Sequence, residues 1–286
     1  MKHFIEITKE QVHSDLEYNN NDEIIEFFVT ESTDIDLLIA DSAKKIKFSF
    51  FNNIASSLTT IINCNSELNL EYQINDNAYV YESVVIENDD LNIQLNKQVV
   101  VTKEATYEAS NGLFSDCHLT YNVNIDLNGL AAQALHNIAT ISRNESKKIY
   151  NVTINNNYPL SYGELNNFGV VKDQASLIFN GTGYIKNGAK QAQAHQESKI
   201  ITFDPLIIAE ANPYLIIDEA DVEASHAAAV GQMDEEQLYY IQSRGIDFEN
   251  ATRLITYGYL KPILNKISDE SLKEKLEKLI ETKVML

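Results

Sequence analysis

The chain has no tryptophan, and its two cysteines, Cys64 and Cys117, stand too far apart for a CxxC redox or zinc motif. Two cysteines also make at most one bridge, which excludes a disulfide framework. Basic residues are scarce: 22 Lys and Arg face 42 Asp and Glu, a formal net charge of −20. Such a surface repels polyanions, so nucleic acid and anionic lipid are poor nonspecific partners. No apolar run approaches the roughly 18–20 residues that span a bilayer. The opening Met1-Lys2-His3-Phe4-Ile5-Glu6 lacks the apolar core of a signal peptide. The expectation is a soluble, cytoplasmic protein with no membrane or nucleic-acid partner.

Most enzyme signatures are missing too. There is no Walker A loop, no GxSxG elbow and no HExxH. Gly181-Thr182-Gly183 is followed by Gly188, so four residues separate the last two glycines and GxGxxG is not formed. Cys117-His118 is the one adjacent pair of soft ligands. Neighbours on a strand point to opposite faces, so the two are expected to be structural, with the cysteine a small buried apolar residue. No catalytic residue is assigned, and the chain is not expected to be an enzyme by itself.

What is present is a long succession of short β-type runs between about Glu23 and Glu223. They include 24–29, 45–50, 68–72, 79–81, 91–95, 99–101 and 119–123, and several alternate apolar with polar residues. Asn75-Asp76-Asn77, Asn88-Asp89-Asp90 and Asn155-Asn156-Asn157 read as turns, because these side chains bond their own backbone and tolerate a left-handed conformation. Strands recurring about every 10–12 residues suit a sandwich, a barrel or a β-solenoid. Only ten Gly and four Pro is few for many tight hairpins. No clean repeat decides between solenoid and sandwich.

From Asp234 onward the pattern turns helical. Asp234 is a candidate N-cap with Gln237 as capping-box partner, and Gly245 sits where a glycine ends a helix. Asp247 caps a second helix, which Pro262 should kink or end. Ser268 starts a third, with Leu272, Leu276, Leu279 and Ile280 on one stripe. That stripe either packs on the body or is offered to a partner. The expected domains are a mainly β core over 1–233 and a helical domain over 234–286.

One segment is more specific. Asn212 to Ile246 contains Ser225-His226, Val230-Gly231, the run from Asp234 to Tyr240 and Ser243-Arg244-Gly245-Ile246. It resembles the C-terminal signature of the SufB/SufD family, as Phe179-Asn180-Gly181, Gly188-Ala189 and Gln193 do in spacing. The resemblance covers roughly 163–260. It implies a right-handed parallel β-helix followed by a small helical domain. Gln196 stands about where SufB-type members carry a cysteine, so the SufD type fits better. Ala224 and Ala227 replace a frequent cysteine and a glycine of that type, and the N-terminal helical domain of full-length members has no counterpart in this sequence.

The resemblance further implies a role in iron–sulfur cluster assembly. The chain would pair with a SufB-like subunit through the β-helix and hold the SufC-like ATPase through its helices. Tyr240, Arg244, Gly245 and Tyr257 are the candidate docking residues. An iron–sulfur cluster would be held transiently and shared with the partner, with His226 as cluster or metal contact. Neutral imidazole suits iron and replaces cysteine in some clusters. The ordinary alternative for His226 is a core or interface histidine, and His195 is a weaker candidate. Two other functions compete. One is a homodimeric scaffold without a separate SufB. The other is a carbohydrate-active β-helix protein, which the lack of tryptophan and of a signal peptide disfavours.

Overall fold

The computed structural model describes residues 2–41, 44–203, 207–267 and 269–284. The strands are β1 (Lys2–Ile7), β2 (Val12–Ser14), β3 (Tyr18–Asn20), β4 (Ile24–Val29), β5 (Asp34–Ile39), β6 (Lys45–Phe50), β7 (Ala55–Ile62), β8 (Glu67–Ile74) and β9 (Tyr79–Ile86). They continue with β10 (Asn92–Val101), β11 (Thr106–Leu113), β12 (His118–Leu127), β13 (Gln133–Ser142), β14 (Lys147–Asn156), β15 (Tyr162–Val171), β16 (Ser176–Ile185), β17 (Gln193–Thr202), β18 (Ile208–Ile217) and β19 (Glu223–Gln232). Three helices follow: α1 (Glu235–Ser243), α2 (Phe248–Leu264) and α3 (Glu270–Val284). Ser268, the expected start of the third helix, lies outside the described residues.

The pairing is that of a β-solenoid. From β4 on, successive strands alternate between two sheets, and each pairs in parallel with the strand two positions away. A sandwich of antiparallel hairpins is thereby excluded. Two expected strands, 91–95 and 99–101, are one continuous ten-residue strand, β10. Lys97 lies between them and faces inward, which interrupts the apolar pattern without breaking the strand. Asn155 and Asn156 were expected in a turn but end β14, one facing out and the other buried. Asn155 bonds Asn124 and Asp126 of the coil before, so amide pairing replaces turn formation.

One corner of the solenoid is built from non-glycine residues with positive φ: Asn53, Asn77, Glu104, Ala131, Leu160 and Gln191. The N–H of each donates to a carbonyl in the corresponding turn of the next coil, as from Asn77 to Lys103 at 2.9 Å and from Leu160 to Lys190 at 3.0 Å. A left-handed conformation is costly for a residue with Cβ. The inter-coil bond offsets that cost, and it explains how so few glycines suffice.

The interior is mainly apolar with aromatic contacts, Phe27 stacked on Phe48 at 4.9 Å and Tyr150 tilted against Phe179 at 5.3 Å. Buried charged side chains interrupt it: Lys148 donates to the carbonyls of Leu113 at 3.0 Å and Ile141 at 2.5 Å, and a second group centres on Glu82. Glu82 accepts from Lys97 and from the hydroxyls of Tyr72 and Tyr107, all inside the core.

Helices α2 and α3 fold back on the sheet that contains β9, β11, β13 and β15. Leu260, Ile263, Leu264, Leu272, Leu276 and Ile280 form one cluster with Val85, Phe114, Ala139, Ile141, Phe168 and Val170. The stripe of α3 therefore packs on the body, which also explains why β9 and β13 are buried on both faces. Gly112 is small because α3 is close: a Cβ there would lie 2.6 Å from Leu276 Cδ1. Lys283 closes the contact with ion pairs to Asp89 at 2.6 Å and Asp116 at 2.9 Å. Arg143 binds the same Asp116 at 2.9 Å. Pro262 lies inside α2, in its last turn.

Candidate functional site at the open end of the solenoid

The two ends of the solenoid differ. At the N-terminal end, β2 and β3 turn back antiparallel onto β1 and β4, and Val12, Leu16 and Tyr18 pack on the core. At the other end β18 and β19 are the last strands of their sheets. Ile208, Tyr214, Ile216, Ile217 and Val230 are all exposed there. Apolar side chains and unpaired backbone edges together are what a pairing surface requires.

His226 lies on this end. Its register partner on β17 is Gln196, whose side chain is buried, so His226 occupies the inward-facing row of the final coil. With no further coil above it, the residue is exposed. Ala224 and Ala228 are its same-face neighbours on β19, and both leave space around the imidazole.

Gln196 supports this floor. Its Nε2 donates to Tyr214 O at 2.9 Å, and its Oε1 is buried with no partner. Gly181 and Gly183 exist to admit it: a Cβ on Gly181 would sit 2.8 Å from Gln196 Oε1, and one on Gly183 2.9 Å from Nε2. The Gly-x-Gly within β16 is thus packing space inside a strand. Sequence reading marked Gln196 only as a position. Its strand partnership with His226 depends on register across a coil.

His195 does not join His226. It sits on the outward face of β17, with Nδ1 2.8 Å from Ser225 Oγ and its ring 5.9 Å from that of Tyr162. Strand alternation sends the two histidines to opposite faces. Cys117 is fully buried and accepts from Ser115 Oγ at 3.1 Å, while His118 is exposed, and both cysteines are free thiols. Among the described residues, no group of three or more His, Cys, Asp and Glu side chains is placed to hold a metal ion.

The other candidates lie on the helices. Asp234 caps α1 by accepting from the N–H of Glu236 at 2.9 Å and of Gln237 at 3.3 Å. Asp247 caps α2 through Asn250 N at 2.8 Å. Gly245 has φ +86°, as a helix-ending glycine requires. Arg244 stacks on Tyr240, 5.1 Å from the ring centroid, and donates to its hydroxyl at 3.1 Å. Tyr239, Tyr240, Phe248 and Leu254 are large and exposed, and α1 buries no residue at all. Tyr257 is different: its hydroxyl donates to Glu277 of α3 at 2.7 Å, and this bond, then burial, pushes it up to about 12.

A sequence model of the family described as "SUF system FeS cluster assembly, SufBD core domain" matches residues 37–259, more than half of the chain. The iron–sulfur cluster assembly protein SufD of Bacillus subtilis is 38% identical over 182 residues, 64% of this chain and 42% of that protein. SufD of Escherichia coli is 30% identical over 107 residues, 37% of this chain and 25% of that protein. A SufBD family protein of Pyrococcus horikoshii is 36% identical over 117 residues, covering 40% and 25%. The chain thus spans less than half the length of the curated relatives it matches. No helix among the described residues is long and apolar enough to cross a membrane. Taken with the solenoid, the open end and the Ser225-His226 motif, the match over residues 37–259 means that the chain belongs to the SufB/SufD family, as a SufD-like protein of iron–sulfur cluster assembly.

Proposed function

We propose that the chain is a non-catalytic scaffold subunit of a SufBCD-type complex in the cytoplasm. The observation that carries this is the asymmetry of the solenoid, with a capped N-terminal end and an open C-terminal end centred on His226. A SufB-like subunit would add its own edge strands to β18 and β19. Backbone hydrogen bonds would supply affinity, and Ile217, Val230 and their neighbours would be removed from water.

The iron–sulfur cluster is cargo, assembled at that junction and passed on. His226 would offer one neutral imidazole nitrogen to iron, a ligand type that iron accepts readily. The remaining ligands would come from the partner. Gln196 would position the floor beneath the site and take no electrons or protons.

The second docking surface would be α1 with the start of α2. Tyr239, Tyr240, Phe248 and Leu254 form its apolar part, and Arg244, held over Tyr240, adds a directed cation. Aromatic residues and arginine are the side chains that anchor interfaces. Gly245 would set the angle between the two helices, and Tyr257 would act indirectly by bracing α2 on α3. An ATPase of the SufC type is the proposed occupant, and its nucleotide-driven movement would be transmitted to the junction through α2 and α3.

Co-expression with the SufB-like and SufC-like subunits of the same genome tests the reading. A stable three-component complex is expected, and its failure to form overturns the proposal. Within that complex His226→Ala should leave assembly intact and lower iron and sulfide content after reconstitution. An unchanged cluster yield would make His226 structural. A cluster bound between two copies of this chain alone would favour the homodimeric scaffold instead.

A further inference from the structure

The outward face of the sheet containing β8 to β18 carries an asparagine ladder. Asn69, Asn96, Asn122, Asn151, Asn180 and Asn212 occupy one row, one residue per coil. Each Nδ2 donates to the Oδ1 of the coil before it: Asn96 to Asn69 at 3.1 Å, Asn122 to Asn96 at 2.8 Å, Asn151 to Asn122 at 2.7 Å, Asn180 to Asn151 at 2.8 Å and Asn212 to Asn180 at 3.0 Å. All five bonds run the same way, so the ladder has a polarity. Its donors point toward the capped end and its acceptors toward the open end.

Asn212 is the last member, on the edge strand β18. Its Nδ2 is also 3.3 Å from Glu210 Oε2, so both amide hydrogens are engaged. Its Oδ1 accepts no hydrogen bond from the described residues and lies at the growing end of the row. Beside it stands the exposed carboxylate of Glu210. The outward row of β18 is therefore Ile208, Glu210, Asn212, Tyr214 and Ile216: isoleucine at both ends, with the acceptors of Glu210 and Asn212 side by side and the Tyr214 hydroxyl next in the row.

We infer that β18 selects its neighbour by side-chain polarity: the strand that adds to it, from a different subunit, carries a hydrogen-bond donor opposite Asn212. Asparagine, glutamine, serine, threonine, lysine and arginine qualify. A carboxylate there would set acceptor against acceptor, and an aliphatic side chain would bury the carbonyl unpaired. A second copy of this chain fits poorly. Two-fold pairing about Asn212 opposes two identical amides whose hydrogens are already spent. The inference rests on the open end being the partner junction, and it adds which chemistry that junction accepts.

The test uses the full chain with its SufB-like and SufC-like partners and measures the affinity of complex formation. Asn212→Leu removes the acceptor and orphans the partner's donor, so affinity should fall about tenfold or more. Asn212→Asp keeps an acceptor in place and should hold affinity within about threefold, even though it loses the bond to Asn180. Asn122→Leu breaks the ladder far from the edge. It should lower the melting temperature and leave affinity unchanged. If Asn212→Asp weakens the complex more than Asn212→Leu does, the opposing group is not a donor and the inference falls. It also falls if the parent chain alone dimerises as tightly as it binds the SufB-like subunit. Ala228→Glu separates this from the underlying reading by placing a charge on the open face. Loss of the complex in Ala228→Glu with full affinity in Asn212→Leu overturns the polarity inference alone. Full affinity in both overturns the junction itself.

Discussion

Lys97 Nζ lies 2.6 Å from both carboxylate oxygens of Glu82, and solvent reaches neither side chain. Tyr72 donates to one of those oxygens at 2.6 Å and Tyr107 to the other, so the carboxylate is fully occupied. Burial pulls Lys97 below its usual range, and the contact with Glu82 opposes that pull. Glu82→Gln or Lys97→Met alone leaves a buried charge without its partner and should cost about 3–5 kcal/mol. The double variant removes both charges while keeping an acceptor for the tyrosines. It should be more stable than either single variant, which a denaturant-based double-mutant cycle will reveal.

Acid should weaken the fold through His136. The ring is fully buried, and burial, followed by the nearby Lys97 charge, holds it down at about 3. In the unfolded chain a histidine takes up its proton near about 6.5. Between these values the unfolded state binds one proton more than the native state. Stability is therefore fully present above about pH 6.5 and falls as pH drops toward 3, by about 1.4 kcal/mol per unit from this group. Urea unfolding at pH 7, 6 and 5 should show a shallower decline in His136→Gln than in the parent chain.

The contact between α3 and the solenoid is specific enough to be overfilled or emptied. Leu276 is fully buried over Gly112. Leu276→Ala should cost about 2–5 kcal/mol through the cavity it leaves. Gly112→Val pushes into the same space and should cost about 1–3 kcal/mol. Hydrogen exchange should rise along α3 in both, while strands at the capped end remain protected.

Helix α1 should depend on its cap more than on packing. It buries no residue, and Asp234 satisfies two of its first amides. Asp234→Ala should cost about 1 kcal/mol, with faster exchange confined to α1. In the proposed complex the same variant should weaken binding of the proposed SufC-like subunit without disturbing pairing at β18 and β19.

Much of this was legible along the chain. Alternation of apolar and polar residues marked the strands, and Asp234, Gly245 and Asp247 marked helix ends, because these signals act within a few residues. The Asn212 to Ile246 motif indicated the family for the same reason: it is contiguous. The double burial of β9 and β13 was not legible, because it depends on helices more than a hundred residues later. Nor was the continuity of β10, since Lys97 reads as a break until its partner Glu82 is seen.

By itself the sequence determined the local conformations, the inward and outward rows of each strand, and the family. Tertiary structure alone decided which residues meet between coils. The steps along the asparagine ladder are 27, 26, 29, 29 and 32 residues, so no fixed repeat relates one coil to the next. Turns of variable length absorb the difference, and backbone hydrogen bonding then sets the register. That register puts His226 beside Gln196, leaves the amide of Asn212 at an open edge and seals Lys97 against Glu82.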